Sequence, residues 1–183
     1  MEHRTPYQDF GYALTLLQQA HMSDALSVLH SLVQRFPHEP LLQVTEIEAL
    51  LQTDDGLEAY NRLTHAIKLF PHYRPMMNLY AQQLMEHEHV KESVSYLKGA
   101  LKLYPNDADL LKTLSQAYQA QGNTFAANCT YANYRMEIGA WREAKTLLET
   151  TQPLANTPEE RAQIATALDK VKIALKNPFL PPA

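Results

Sequence analysis

Eight histidines and one cysteine are the residues of this 183-residue chain that most readily do metal or nucleophilic chemistry. A helix that chelates a metal needs two ligands three or four residues apart, on one face. His3, His21, His30, His38, His65, His72, His87 and His89 contain no such pair. His87 and His89 flank Glu88, but residues two apart on a helix do not face each other. They read as surface and loop histidines, and any zinc site would have to be assembled across helices. Cys129 is the single cysteine, which excludes an intrachain disulfide and a thiolate zinc cluster. A nucleophilic cysteine needs a base beside it. Cys129 stands among small residues, far in sequence from every histidine, and reads as a packed or half-exposed thiol. The five glycines are isolated, so no glycine-rich phosphate loop exists. The carboxylate pairs Asp54-Asp55 and Glu159-Glu160 read as helix starts, where negative charge opposes the macrodipole. The expectation is a chain with no catalytic residue, no metal ligand and no cofactor of its own.

Such residues need a scaffold, and the composition says which. Leucine (27) and alanine (22) dominate, while valine (6) and isoleucine (5) are scarce. Leu and Ala are strong helix formers, whereas β-branched residues favour strands. An all-α chain is expected, not a sandwich, a barrel or a sheet-based α/β enzyme. A formal net charge of −4 disfavours a broad nucleic-acid surface, which needs a basic face. No stretch approaches the roughly 18 apolar residues of a membrane span. The opening Met1-Glu2-His3-Arg4-Thr5-Pro6 does not read as a secretory signal.

Three prolines mark a period. Pro37, Pro71 and Pro105 are spaced by 34 residues, and each follows an aromatic: Phe36, Phe70, Tyr104. Counting back from each proline aligns five further columns: Leu32, Ala66, Ala100; Leu29, Leu63, Leu97; Ala25, Ala59, Ser93; Leu16, Leu50, Leu84; and Ala13, Ile47, Ala81. Gaps of three to five residues put each group on one helical stripe, and two stripes per repeat mean two helices. Small residues let paired helices approach where they cross. Proline stops the second helix and begins the next linker. Repeating units of this kind stack into a solenoid.

A fourth repeat begins at Asn106-Asp107, with Asp107 as N-cap and Gly122 making the turn between its helices. Gly139 replaces the expected proline. Gly122 and Gly139 lie 17 residues apart, as do Ala127 and Ala144, which is half a repeat. The helix from Asn128 to Glu137 therefore serves twice, as second helix of repeat four and first helix of repeat five. Thr157-Pro158-Glu159-Glu160 is a helix start with a capping box. Helices are predicted over 6–18, 22–36, 40–52, 55–70, 74–87, 89–104, 107–121, 124–137, 140–151 and 158–175. Residues 1–5 read as a leading linker and 6–151 as an array of four to five repeats. A loop and capping helix occupy 152–176, and 177–183 an extended tail.

The 34-residue helix pair with small residues at the crossing and a closing proline resembles the tetratricopeptide repeat (TPR). Two segments resemble a narrower group: Tyr7 to Gln18 with Asp24-Ala25 behind it, and Leu114 to Leu148 with its half-repeat offset. Both look like the C-terminal TPR region of BepA-type zinc metallopeptidases, periplasmic proteins concerned with outer-membrane protein assembly and quality control. That resemblance implies a non-catalytic interaction half, located in the periplasm. Its partners would be its own protease domain, outer-membrane proteins or their assembly machinery. Zinc would belong only to a preceding protease domain, because the His-Glu-x-x-His motif is absent from this chain. The alternative is a free-standing TPR adaptor that binds an extended peptide.

In a TPR stack the first helix of each pair lines the concave face. The candidate partner-binding residues are then Tyr7, Phe10, Leu14, Val44, Glu48, Asn78, Gln82, Lys112, Gln116 and Asn133. Leu17, Thr45, Leu51, Leu79, Met85, Thr113, Gln119, Thr130 and Met136 are expected beside them. This wall runs from apolar to amide-rich, suited to varied side chains at one end and to a peptide backbone at the other. TPR proteins that clamp a C-terminal carboxylate use Lys, Asn, Asn, Lys and Arg on successive first helices. The matching positions read Phe10, Leu14, Thr45, Pro75 and Leu79, or Val44, Glu48, Leu79, Asp109 and Thr113 one repeat later, so no such clamp is present.

Overall fold

A computed structural model describes residues 5–176. The predicted leading residues 1–4 and tail 177–183 lie outside the described residues. Ten α-helices follow one another: α1 Pro6–Gln18, α2 Met22–Arg35, α3 Pro40–Leu50, α4 Gly56–Leu69, α5 Arg74–Glu86, α6 Val90–Leu103, α7 Ala108–Ala120, α8 Thr124–Glu137, α9 Trp141–Thr151 and α10 Pro158–Lys176. The fold is all-α, a TPR-like helical solenoid, with no strand among the described residues. The chain forms two compact units, one up to Tyr80 and one from Ala81, with the boundary inside α5.

The repeat columns are the core. Ala25, Ala59 and Ser93 are each fully buried, as are Leu29, Leu63 and Leu97. Leu32, Ala66 and Ala100 lie beneath the surface with them. Serine is tolerated in the crossing column because its hydroxyl donates to the Ala81 carbonyl oxygen at 2.8 Å. Ala81 is itself fully buried in the facing column. A buried hydroxyl that finds such an acceptor is not left unsatisfied. In the first unit α1, α2, α3 and α4 pack in succession; in the second, α6 through α10 do.

Four turns between helices share one device. After α1, α5, α7 and α8 the chain enters the left-handed region at Ala20 (φ 59°), Glu88 (φ 65°), Gly122 (φ 81°) and Gly139 (φ 77°). In each, the next N–H reaches back into the helix: His21 to Leu16, His89 to Leu84, Asn123 to Tyr118 and Ala140 to Arg135, at 2.8–2.9 Å. This is the Schellman closure, which satisfies carbonyls orphaned at a helix end. Ala20, Glu88 and Gly122 occupy the same repeat position, and only the last carries the residue that position favours.

The turn after α3 is different, and it corrects a predicted boundary. The helix expected over 40–52 ends at Leu50. The Thr53 hydroxyl donates to the Leu50 carbonyl at 2.7 Å and accepts from the Asp55 N–H, so a side chain does the work of the left-handed residue. Asp55 occupies the N-cap position of α4 but makes no side-chain cap bond. Capping does hold at Asp107, which accepts from the Leu110 N–H, and at Thr157 and Glu160, which cap each other's backbone. Thr5 and Gln8 form a further capping box at the start of α1. The predicted loop around Pro153 contains a short 3-10 turn, Gln152–Leu154.

α8 is the helix that lies between Gly122 and Gly139. It packs on α7 and on α9, and no residue from Phe125 to Glu137 is exposed. Ala127 and Ala132 let the neighbours approach from both sides. α10 closes the unit, with Ile164, Leu168 and Val171 joining Cys129, Ala132, Met136, Ala144 and Leu148 in one cluster.

Candidate functional site

The ten candidate residues sort by helix. On α1, Tyr7 is 90% and Leu14 39% exposed, while Phe10 is half-buried. On α3, Glu48 is exposed but Val44 is only 3% exposed and belongs to the core. On α5, Asn78 and Gln82 are half-buried, one turn apart. On α7, Lys112 and Gln116 are exposed; on α8, Asn133 is half-buried.

Val44 is not alone beneath the surface. Thr45, Leu79, Thr113, Thr130 and Met136 were expected on the wall and are buried. A helix packed from both sides keeps a narrower open stripe than the amphipathic pattern suggests. α7 makes this plain. Leu110, Leu111, Thr113, Leu114, Ser115 and Ala117 are all buried. From Asp109 to Gln119 its exposed residues are Asp109, Lys112, Gln116 and Gln119. Their spacing of three and four defines one stripe. It offers an ammonium, two amides and a carboxylate, a set able to hydrogen-bond a peptide backbone. On α3 the surface candidate is Glu48, whose carboxyl is partly desolvated by its neighbours and so held above its ordinary range.

The apolar part of the expected wall is a cleft. Pro6, Tyr7, Phe10, Leu32, Phe36, Glu39, Leu41 and Leu42 line a cavity of about 330 Å³ formed by α1, the end of α2 and the start of α3. Two candidates, Tyr7 and Phe10, line it together. Leu41 is 49% exposed and Leu32 1%, so the cleft has an open rim and a core floor.

A second cleft in the same unit holds residues that the sequence reading missed. About 410 Å³ is lined by His30, Val33, Gln43, Glu46, Ile47, Glu58, Asn61, Arg62 and His65. Glu46 is 4% exposed, and its carboxylate meets two basic groups. Its Oε1 atom lies 2.9 Å from His30 Nδ1 and 3.0 Å from Arg62 Nη1. Arg62 Nε also donates to Glu58 Oε1 at 2.7 Å, and the two carboxylates, Glu58 foremost, raise the guanidinium pKa. His30 Nε2 meets the Gln34 side chain at 2.9 Å. Three helices are thereby joined through one buried carboxylate. The sequence carried no signal for this burial: Tyr12, at the equivalent position one repeat earlier, is 39% exposed, whereas Glu46 is covered.

No group of three or more His, Cys, Asp or Glu among the described residues is placed to hold a metal ion. Cys129 is 3% exposed, and burial, with Glu160 nearby, pushes its thiol up to about 11. A thiol so raised stays protonated and is a poor nucleophile at neutral pH. No described helix is long and apolar enough to cross a membrane.

Helix pairs repeating every 34 residues with small residues at the crossing define the tetratricopeptide-repeat class of fold. Solved structures agree. The chain is similar to MamA (41-end) from Desulfovibrio magneticus RS-1, at 14% identity over 98% of this chain and 100% of that one, with a TM-score of 0.60. It is similar to a tetratricopeptide repeat protein from Parabacteroides merdae, at 13% identity over 93% and 76% of the two chains, with a TM-score of 0.57. A thermophilic TPR protein of Thermus thermophilus matches at 15% identity over 90% and 99%, with a TM-score of 0.55. At these identities the likeness establishes the fold. No family model matches the sequence, and no curated protein matches it.

Proposed function

We propose that this chain is a non-catalytic protein-interaction module that holds extended polypeptide on the open polar stripe of α7. The α7 stripe carries the reading. Lys112, Gln116 and Gln119 are exposed on a helix whose flanking positions are all occupied by packing. Their donors and acceptors are therefore free for a ligand without cost to the core. The test is the double variant K112A/Q116A. Affinity for an unfolded model polypeptide should fall about fivefold, as expected for losing two exposed polar contacts. Thermal stability should stay unchanged. Unaltered affinity would rule out the α7 stripe.

The finer reading makes this module part of a BepA-like periplasmic metallopeptidase, engaging outer-membrane proteins or their assembly machinery. Its support is the resemblance of 7–18 and 114–148, together with the half-repeat spacing of Gly122 and Gly139. In that reading the zinc and the catalytic residues belong to a protease domain ahead of this segment. A free-standing adaptor is equally compatible with the fold. The coding sequence upstream of residue 1 decides: a signal peptide and a His-Glu-x-x-His helix support the peptidase, and an in-frame stop or another domain removes it.

A further inference from the structure

The cleft at the start of α1 differs from the α7 stripe in chemistry, and its chemistry specifies an occupant. At about 330 Å³ it sits at the small end of ligand pockets, which suits one bulky side chain better than a cofactor. Its walls are aromatic and aliphatic: Tyr7, Phe10, Phe36 and Leu41 surround a floor at Leu32. Such a pocket, open at its rim and floored by a core side chain, takes an aromatic or leucine anchor.

The charge at its mouth is one-sided. Asp9 is matched by Arg35 at 3.6 Å, and the Arg35 guanidinium is held over the Phe36 ring at 5.4 Å from its centre. That cation is already committed. Glu39 lines the cleft as well, at the N-cap of α3, but its side chain makes no cap bond. It forms no ion pair among the described residues. Among the described residues, the cleft thus presents an apolar socket with one uncompensated carboxylate on its rim.

We infer that this cleft is an anchor site for a partner polypeptide bearing a bulky apolar side chain next to a lysine or arginine. The apolar group fills the socket, and the neighbouring cation meets Glu39. Burial of the anchor supplies most of the affinity, and the exposed ion pair supplies selectivity. The inference rests on the interaction-module reading and adds a sequence preference belonging to the first unit.

Three fluorescein-labelled Gly/Ser peptides test it, carrying at their centre Trp-Lys, Trp-Glu or Ser-Lys, with binding followed by fluorescence anisotropy. The Trp-Lys peptide should bind tightest. Trp-Glu should be about threefold weaker, the size of an exposed ion pair. Ser-Lys should be about tenfold weaker or more, the size of a lost apolar anchor. E39K, at an exposed position, should reverse the order of the two Trp peptides, and L41D should weaken both. Equal affinity for all three, or an E39K protein with unchanged preference, overturns the inference. So does a concentration-dependent dimer that L41D abolishes, which makes a second copy the occupant. Binding seen only after removal of residues 1–4 overturns it too, because the chain's own start then fills the cleft. K112A/Q116A separates the two readings. If no peptide seats in the cleft while that variant still loses extended polypeptide, the anchor is wrong and the module stands.

Discussion

α3 and α8 face the same problem and solve it differently. Each is a helix packed on both sides, α3 between α2 and α4, α8 between α7 and α9. Neither can keep the usual half-polar surface. α3 buries Val44, Thr45, Glu46, Ile47, Ala49 and Leu50, and so sinks a carboxylate into its core side. That group is held by His30 and Arg62 at 2.9 and 3.0 Å. α8 uses small or neutral groups instead: Ala127, Cys129, Thr130 and Ala132. A charge in the interior is tolerable only while its partners stay, whereas a small apolar side chain depends only on the room around it. One helix is therefore vulnerable to the loss of a partner, the other to the gain of volume.

Adding volume to α8 should produce the largest effect. Ala132 is fully buried at the meeting of the α8–α10 cluster. Ala132→Leu should cost about 3 kcal/mol by overpacking, read from the midpoint of urea unfolding. A loss under about 1 kcal/mol would show that α8 has slack and is not the tight helix described above.

Cys129 reports on the same packing through its chemistry. With its thiol raised from 9.0 to about 11, alkylation by iodoacetamide at pH 8 should be about a hundredfold slower than in the unfolded chain. The stability sign follows. Below pH 9 the thiol is neutral in both states. Between 9 and about 11 the unfolded chain ionises first, so stability falls across that window. Cys129→Ser should remove this alkaline loss; if it persists, another group causes it.

Removing a partner from α3 comes next. Arg62→Ala leaves Glu46 with His30 alone and should cost about 2 kcal/mol, less than a fully buried pair because Arg62 is itself 34% exposed. Glu46→Leu together with Arg62→Met should be close to neutral, because an apolar replacement avoids the desolvation cost. A double variant as damaged as the single one would mean that the network shapes the unit beyond its charge balance.

The turns provide the smallest effect. Glu88→Gly should stabilise by ~0.5–1 kcal/mol, since a non-glycine residue at φ 65° is strained. Gly122→Ala should destabilise by a similar amount at φ 81°. Equal thermal midpoints for both variants and the parent would show that these turns relax freely.

Most helix boundaries were legible because the signals that set them are local. Aromatic-proline pairs close α2, α4 and α6, and Gly122 and Gly139 bracket α8. α3 escaped because Thr53, a residue with no strong turn preference, closes it through its hydroxyl. The open stripe was legible only in part. Lys112 and Gln116 are polar at stripe positions and emerge exposed, while Val44 occupies an equivalent position and is buried. Periodicity identifies which residues share a face. It does not tell how wide a neighbouring helix will cover that face.

That division runs through the whole molecule. Sequence alone determined the all-α class, the period of 34 and the crossing residues. These depend on propensity, spacing and proline, all of which act within a turn or two of helix. Tertiary structure decided the rest: that Glu46 is buried between His30 and Arg62, that Tyr7 and Phe10 share a cleft with Glu39, and that α7 keeps one narrow polar stripe. Those facts depend on which side chains from different helices arrive at the same place. No local rule encodes that meeting, because it is set by the packing of helices against one another.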